Sequence, residues 1–213
     1  LERHKAEWRI GDTINAAIGQ GYVLASPLQL AVMTARIATG RAVVPRLVRM
    51  IDGQETPVAD APALGVDAAA LGQVREGMRN VMNSKKGTAY SSRIADATMT
   101  FAGKTGTSQV RNISTAERAS GVISNEDLPW ERRDHALFVG FAPADAPRYA
   151  VSVVVEHGGG GSAAAAPIAR DIILRAMSDG LPSLDAYPDS QRGRIETMLN
   201  ELNLRSVEAD TPV

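Results

Sequence analysis

Cysteine is absent from all 213 residues. This excludes disulfides and thiolate-bound metal, but leaves the compartment open, because exported and cytosolic proteins can both lack cysteine. An excess of charge is absent too. The 23 basic and 24 acidic side chains nearly cancel, so nothing attracts the chain generally to nucleic acid or to an anionic membrane surface. No apolar run approaches the ~18 residues of a spanning helix. The three histidines, His4, His135 and His157, lack metal-ligand spacing, and neither a metal nor another cofactor is implied. The first residue is Leu1 and no charged-then-apolar leader follows it. The chain reads as soluble as written, and as compatible with a fragment whose targeting segment lies upstream.

What is present is an apolar fraction of 44%, enough to core one substantial domain or a large piece of one. Helical character after residue 11 is broken by Gly19-Gln20-Gly21. Ser26-Pro27 has the form of an N-cap followed by proline at the first helical position. Leu28, Ala31, Val32, Ala35 and Ile37 then recur near helical spacing, up to Thr39-Gly40. Residues 42–51, rich in valine, predict a strand ended by Asp52-Gly53. A proline-rich loop spans 56–65. Leu71, Val74, Met78 and Val81 predict a helix over 67–83, followed by a polar connection to residue 88.

Strands are predicted over 98–110, 136–141 and 149–156, the last two joined by a turn at Asp145-Ala146-Pro147. Residues 111–133 read as a solvated excursion, in which Trp130 either tacks the segment to the body or meets a partner. Residues 158–161 read as a flexible glycine turn. Ser162 is expected to cap a helix over 163–177, and a shorter helix over 191–204 precedes a polar tail. Helices, then successive strands, then a helix predict an α+β fold: one antiparallel sheet flanked by helices.

The chemistry concentrates in Phe101-Ala102-Gly103-Lys104-Thr105-Gly106-Thr107-Ser108-Gln109-Val110. Lys104 can attract a carboxylate and lower the cost of a nearby oxyanion. The hydroxyls of Thr105 and Thr107 can hydrogen-bond the same carboxylate, and Gly106 leaves room for a ligand backbone. A phosphate-binding loop fits poorly: its first glycine would fall on Thr98, and the segment after Thr105 reads as strand instead of helix. Strand alternation puts Lys104 and Thr105 on opposite faces, so their joint action requires an edge strand beside a cleft.

The segment resembles the K-T-G motif of penicillin-binding proteins and serine β-lactamases. Gly11-Asp12-Thr13-Ile14-Asn15, Ile18-Gly19-Gln20-Gly21-Tyr22 and Pro27-Leu28-Gln29-Leu30-Ala31 resemble the segment preceding K-T-G in class B penicillin-binding proteins. Asp134-His135-Ala136-Leu137-Phe138-Val139-Gly140-Phe141-Ala142-Pro143 resembles the next strand. Val153-Val154-Val155-Glu156-His157-Gly158-Gly159-Gly160-Gly161 is similar to the elongation-type subgroup.

The resemblance implies a serine D,D-transpeptidase that cross-links peptidoglycan and is acylated by β-lactams. Its partners would be D-Ala-D-Ala stem peptides and elongation-complex proteins. Its place would be the periplasmic face of the bacterial inner membrane, reached through an upstream anchor, and its role would be in cell shape. It further implies that Lys104 supplies positive potential and supports proton transfer. Thr105, Gly106 and Thr107 would complete the substrate strand, with the two threonines binding the terminal carboxylate and the backbone near Thr107 offering an oxyanion N–H. Residues 1–180 are expected to be the C-terminal part of the transpeptidase domain, and 181–213 a short helix and tail. The family's S-x-x-K nucleophile motif and its S-x-N motif do not occur in this sequence. Residues 1–213 alone are therefore expected to be inactive and to associate through exposed apolar surface. Two alternatives stand beside this reading: a hydrolase that passes the acyl group to water, and a non-catalytic substrate-binding module.

Overall fold

The computed structural model describes residues 7–202 except 59 and 112. The expected polar tail and the last two residues of the expected C-terminal helix lie outside the described residues. Helix α1, Ile10–Ala17, stops ahead of Gly19 and Gly21, which adopt φ of 77° and 75°. Helix α2, Pro27–Thr39, starts as its sequence predicts. The Ser26 hydroxyl accepts from the Gln29 N–H at 3.2 Å, and the Gln29 side chain accepts from the Ser26 N–H at 2.8 Å. This reciprocal box satisfies two otherwise orphan donors. Gly40, in the left-handed region, ends the helix.

The strand expected over residues 42–51 is largely absent. Only Met50–Ile51 (β1) pairs, with Gln54–Glu55 (β2), around the Asp52-Gly53 turn. Pro45 supplies no N–H, and Val44 and Leu47 stand 71% and 100% exposed. Valine favours extended structure when a neighbouring strand and a half-buried face receive it, and here neither does.

Helix α3, Ala68–Asn83, begins where the Asp67 carboxylate accepts from the Ala70 N–H at 2.8 Å, and it buries Met78 and Met82. Strand β3 is shorter than its sequence suggests. Residues Ala97–Met99 form a 3-10 turn held by Asp96, and β3 runs Ala102–Ser108. The excursion that follows contains a short helix α4, Thr115–Ser120. Strands β4, His135–Ala142, and β5, Tyr149–Val155, complete an antiparallel sheet of order β3-β4-β5. In its register Lys104 faces Val139, Thr105 faces Phe138 and Thr107 faces Ala136.

Helices α2 and α3 cover one face, with Ala102 and Phe141 packing against Ala38 and Met78. Helix α5, Ala165–Met177, covers the other, where Phe138 and Ala136 meet Ala165, Ala169 and Ile173. Ser162 does not cap α5. Ala164 occupies the cap position without a side-chain bond, because the chain is first pressed onto the sheet at Gly161. Helix α6, Asp189–Glu201, is docked through Gln191, which accepts from the Arg170 guanidinium at 2.7 Å and donates to the Ser91 carbonyl at 2.6 Å. The fold is therefore α+β, an antiparallel sheet between helices, as its sequence predicts.

Candidate functional site

Strand β3 is the sheet's outer strand, and among the described residues no strand pairs with its free edge. The edge strand that joint action of Lys104 and Thr105 requires is present. Alternation sends their side chains to different faces, and both remain reachable from the edge.

Lys104 is exposed, and its ammonium donates to the Thr105 carbonyl at 2.6 Å. Its stem lines a cleft of roughly 400 Å³ with Met33 and Ile37 of α2, Val74 and Met78 of α3, and Val139. The ammonium places positive charge beside the strand edge, where an anion would meet it, with solvent screening part of its field. Thr107 is exposed on the outer strand. At Gly106 a Cβ would meet the Leu137 Cβ at 3.3 Å, a tight contact that would require a small shift of β4.

The structure adds two contributors from segments that look like plain connections in the sequence. The Thr88 hydroxyl lies 3.1 Å from the Thr105 hydroxyl. Gly161 presses against the backbone of β3 and β4: a Cβ there would stand 2.5 Å from the Gly106 carbonyl and 2.2 Å from that of Leu137. Both Gly159 and Gly161 are buried, and the Gly159 N–H donates to the Asp134 carbonyl at 2.9 Å. Gly159 and Gly161 are therefore packed against the sheet while Gly160 is exposed, in contrast to the free turn expected over 158–161. Four glycines in a row were the available signal, because glycine also marks close backbone approach.

The excursion after β3 is also built. Both Arg111 Nη atoms donate to the Glu117 carboxylate at 2.6 Å, and that carboxylate accepts from the Ile123 N–H at 3.2 Å. The hydrogen bond from Arg111 holds the Glu117 carboxyl below its ordinary range, against opposing desolvation, with the Ile123 N–H adding to the effect. The Asp134 N–H donates to the Asn125 side chain at 2.9 Å, and Asp134 in turn accepts from the Val110 N–H at 3.2 Å. Trp130 packs on the His157 ring at 4.3 Å between centroids, so it tacks the segment to the body. The His157 N–H donates to Nδ1 of His135, whose backbone is paired with Ser108. His135 thus serves as a hydrogen-bond acceptor at the start of β4. Among the described residues no cluster could hold a metal ion.

An edge strand carrying Lys-Thr-Gly-Thr on a helix-flanked antiparallel sheet matches a known pattern. The family model of the penicillin binding protein transpeptidase domain matches residues 3–174. This chain belongs to that family.

Within it, the chain is 35% identical over 212 residues to the peptidoglycan D,D-transpeptidase MrdA of Haemophilus influenzae, covering 96% of this chain and 32% of that protein. MrdA of Acinetobacter baumannii is 37% identical over 164 residues, covering 74% and 23%. The crystal structure of Pseudomonas aeruginosa PBP2 in complex with WCK 5153 superposes with a TM-score of 0.65 at 36% identity, over 84% of this chain and 35% of that one. PBP2 of Helicobacter pylori, in its complex with MreC, gives a TM-score of 0.62 at 35% identity, over 80% and 28%. The chain spans between about a quarter and a third of the length of the curated relatives it matches. No described helix is long and apolar enough to cross a membrane.

Proposed function

We propose that this chain forms the K-T-G wall of a peptidoglycan D,D-transpeptidase. The observation that carries the reading is Lys104 beside the apolar cleft on a sheet edge that is free along Thr105–Thr107. The strand offers backbone groups to an extended stem peptide, in the manner of strand addition. Thr105 and Thr107 bind its terminal D-Ala carboxylate, and the Lys104 ammonium draws that anion in. An N–H near Thr107 faces the oxyanion as the carbonyl is attacked. The attacking serine and its lysine are not among residues 1–213. The full-length gene product supplies them, forms the acyl-enzyme and passes the acyl group to an amine of a second stem peptide. β-Lactams acylate the same serine.

The resemblance to the elongation-type subgroup supports an elongation role at the periplasmic face of the inner membrane, with an effect on cell shape, and the relatives named peptidoglycan D,D-transpeptidase support the cross-linking reaction. The Helicobacter pylori protein's complex with MreC supports a comparable protein partner here.

Covalent labelling by a fluorescent penicillin tests this. The full-length gene product should be labelled, and residues 1–213 alone should not. Lys104→Ala or Thr107→Val should slow labelling about 10- to 100-fold, the range for losing a hydrogen bond to a charged group. Unchanged rates in both variants would overturn the assignment of β3. A full-length product that is never labelled would favour the binding-module reading. Release of the acyl group to water in the presence of an acceptor amine would favour the hydrolase.

A further inference from the structure

We propose that Thr88, outside the K-T-G motif, is a positioning residue for recognition of the ligand carboxylate, acting through the Thr105 hydroxyl. The inference rests on the transpeptidase reading given above.

The connection after α3 is built to deliver this one side chain. Gly87 is folded back under the helix so closely that a Cβ would lie 2.3 Å from the Val81 carbonyl and 2.4 Å from that of Asn80. The Gly87 N–H donates to Ser84, and the Ala89 N–H donates to Val81 at 3.1 Å. Ala89 is fully buried. Asn83 ties the same corner to the sheet, because its side-chain amide donates to the Phe101 carbonyl at 3.0 Å, one residue before β3. Between Gly87 and Ala89 the Thr88 side chain is exposed, and its hydroxyl lies 3.1 Å from that of Thr105.

A hydroxyl carries one proton and two acceptor lone pairs. Left alone, the Thr105 proton rotates among several acceptors. With a carboxylate on the free edge, the charge-assisted bond draws the Thr105 proton outward. The oxygen of Thr105 then accepts from Thr88, and each bond polarises the next. Thr88 thereby fixes the direction in which Thr105 donates. The pairing is specific to an anionic ligand, since an ester offers no full charge to pull the chain of hydroxyls into line.

The test compares a penicillin having a free carboxylate with its methyl ester, in the full-length gene product. The readout is the ratio of the two acylation rates, with thermal unfolding followed alongside. In Thr88→Val the free-carboxylate rate should fall about 3- to 10-fold, the range for one net hydrogen bond. The ester rate should stay within about twofold, so the ratio collapses. Thr88→Ser keeps the hydroxyl and should restore the ratio. An equal loss for both substrates would assign Thr88 a merely structural role and overturn the inference, as would an unchanged ratio in Thr88→Val. A wild-type protein that is not acylated by either substrate overturns the transpeptidase reading and this inference together. A wild type that is acylated, with a ratio insensitive to Thr88, overturns this inference alone.

Discussion

Gly161 lies against Gly106, so close that a Cβ on Gly161 would come within 2.5 Å of the Gly106 carbonyl oxygen. The glycine loop after β5 thus underpins the motif strand from behind, leaving the outer edge of β3 open. Gly161→Ala should force the loop away from β3 and β4 and destabilise the protein by about 1–3 kcal/mol, as overpacking does. Gly160→Ala is the control, because nothing lies within 4 Å of its Cβ position. Thermal unfolding of the full-length gene product checks both. Equal behaviour of the two variants would refute the support role.

The excursion after β3 should depend on one ion pair. Glu117→Gln weakens the two bonds from Arg111 and the acceptor for the Ile123 N–H. Hydrogen exchange at Ile123 should accelerate, while exchange within β4 stays unchanged. The pH dependence follows from the lowered Glu117 carboxyl. Folding favours its ionised form, so the contribution is fully present above the unfolded value near 4.5 and is lost as pH falls through the lower folded value. Protection at Ile123 against opening should therefore be flat from about pH 6 to 8 and decline only in acid. A decline beginning near neutrality would implicate another group.

Arg170 is fully buried in α5, bonded to Asp171 at 2.8 Å and to Gln191, with its guanidinium 4.7 Å from the Tyr187 ring centroid. Its Nη2 has no hydrogen-bond partner among the described residues. Arg170→Ala leaves a void and removes the partner of Gln191, and should cost about 3–5 kcal/mol, as breaking a buried charged network does. Arg170→Lys should not rescue, because an ammonium cannot stack flat while bonding in two directions. Chemical denaturation measures the loss. Limited proteolysis should then cut first between α5 and α6, and cuts elsewhere would argue against this docking role.

The cleft beside Lys104 leaves Met33 42% and Val74 47% exposed, and α5 turns Ile168 and Ile172 outward at 43% and 49%. Contiguous apolar surface of this kind drives association. Residues 1–213 expressed alone should therefore run as oligomers or aggregates in light scattering. A monomer with a cooperative melt would contradict this.

Local chemistry made much of this legible before any fold was known. The Ser26-Pro27 cap, the α3 stripe, the β4–β5 pairing and the K-T-G segment are each written in a few adjacent residues, because caps, periodicity and motif chemistry act over one or two turns of chain. Residues 42–51 misled for the complementary reason: valine content cannot reveal whether a partner strand exists. Thr88 carried no local sign of its place beside the strand, and Gly161 carried only the run of glycines. Each acts across the sheet edge or through it, on residues 17 and 55 positions away in the sequence, and such contacts exist only once α3, β3 and α5 have been packed together. Side-chain identity thus determined which groups the strand offers to a ligand. Tertiary packing alone decided which edge stays open and what holds those groups in place.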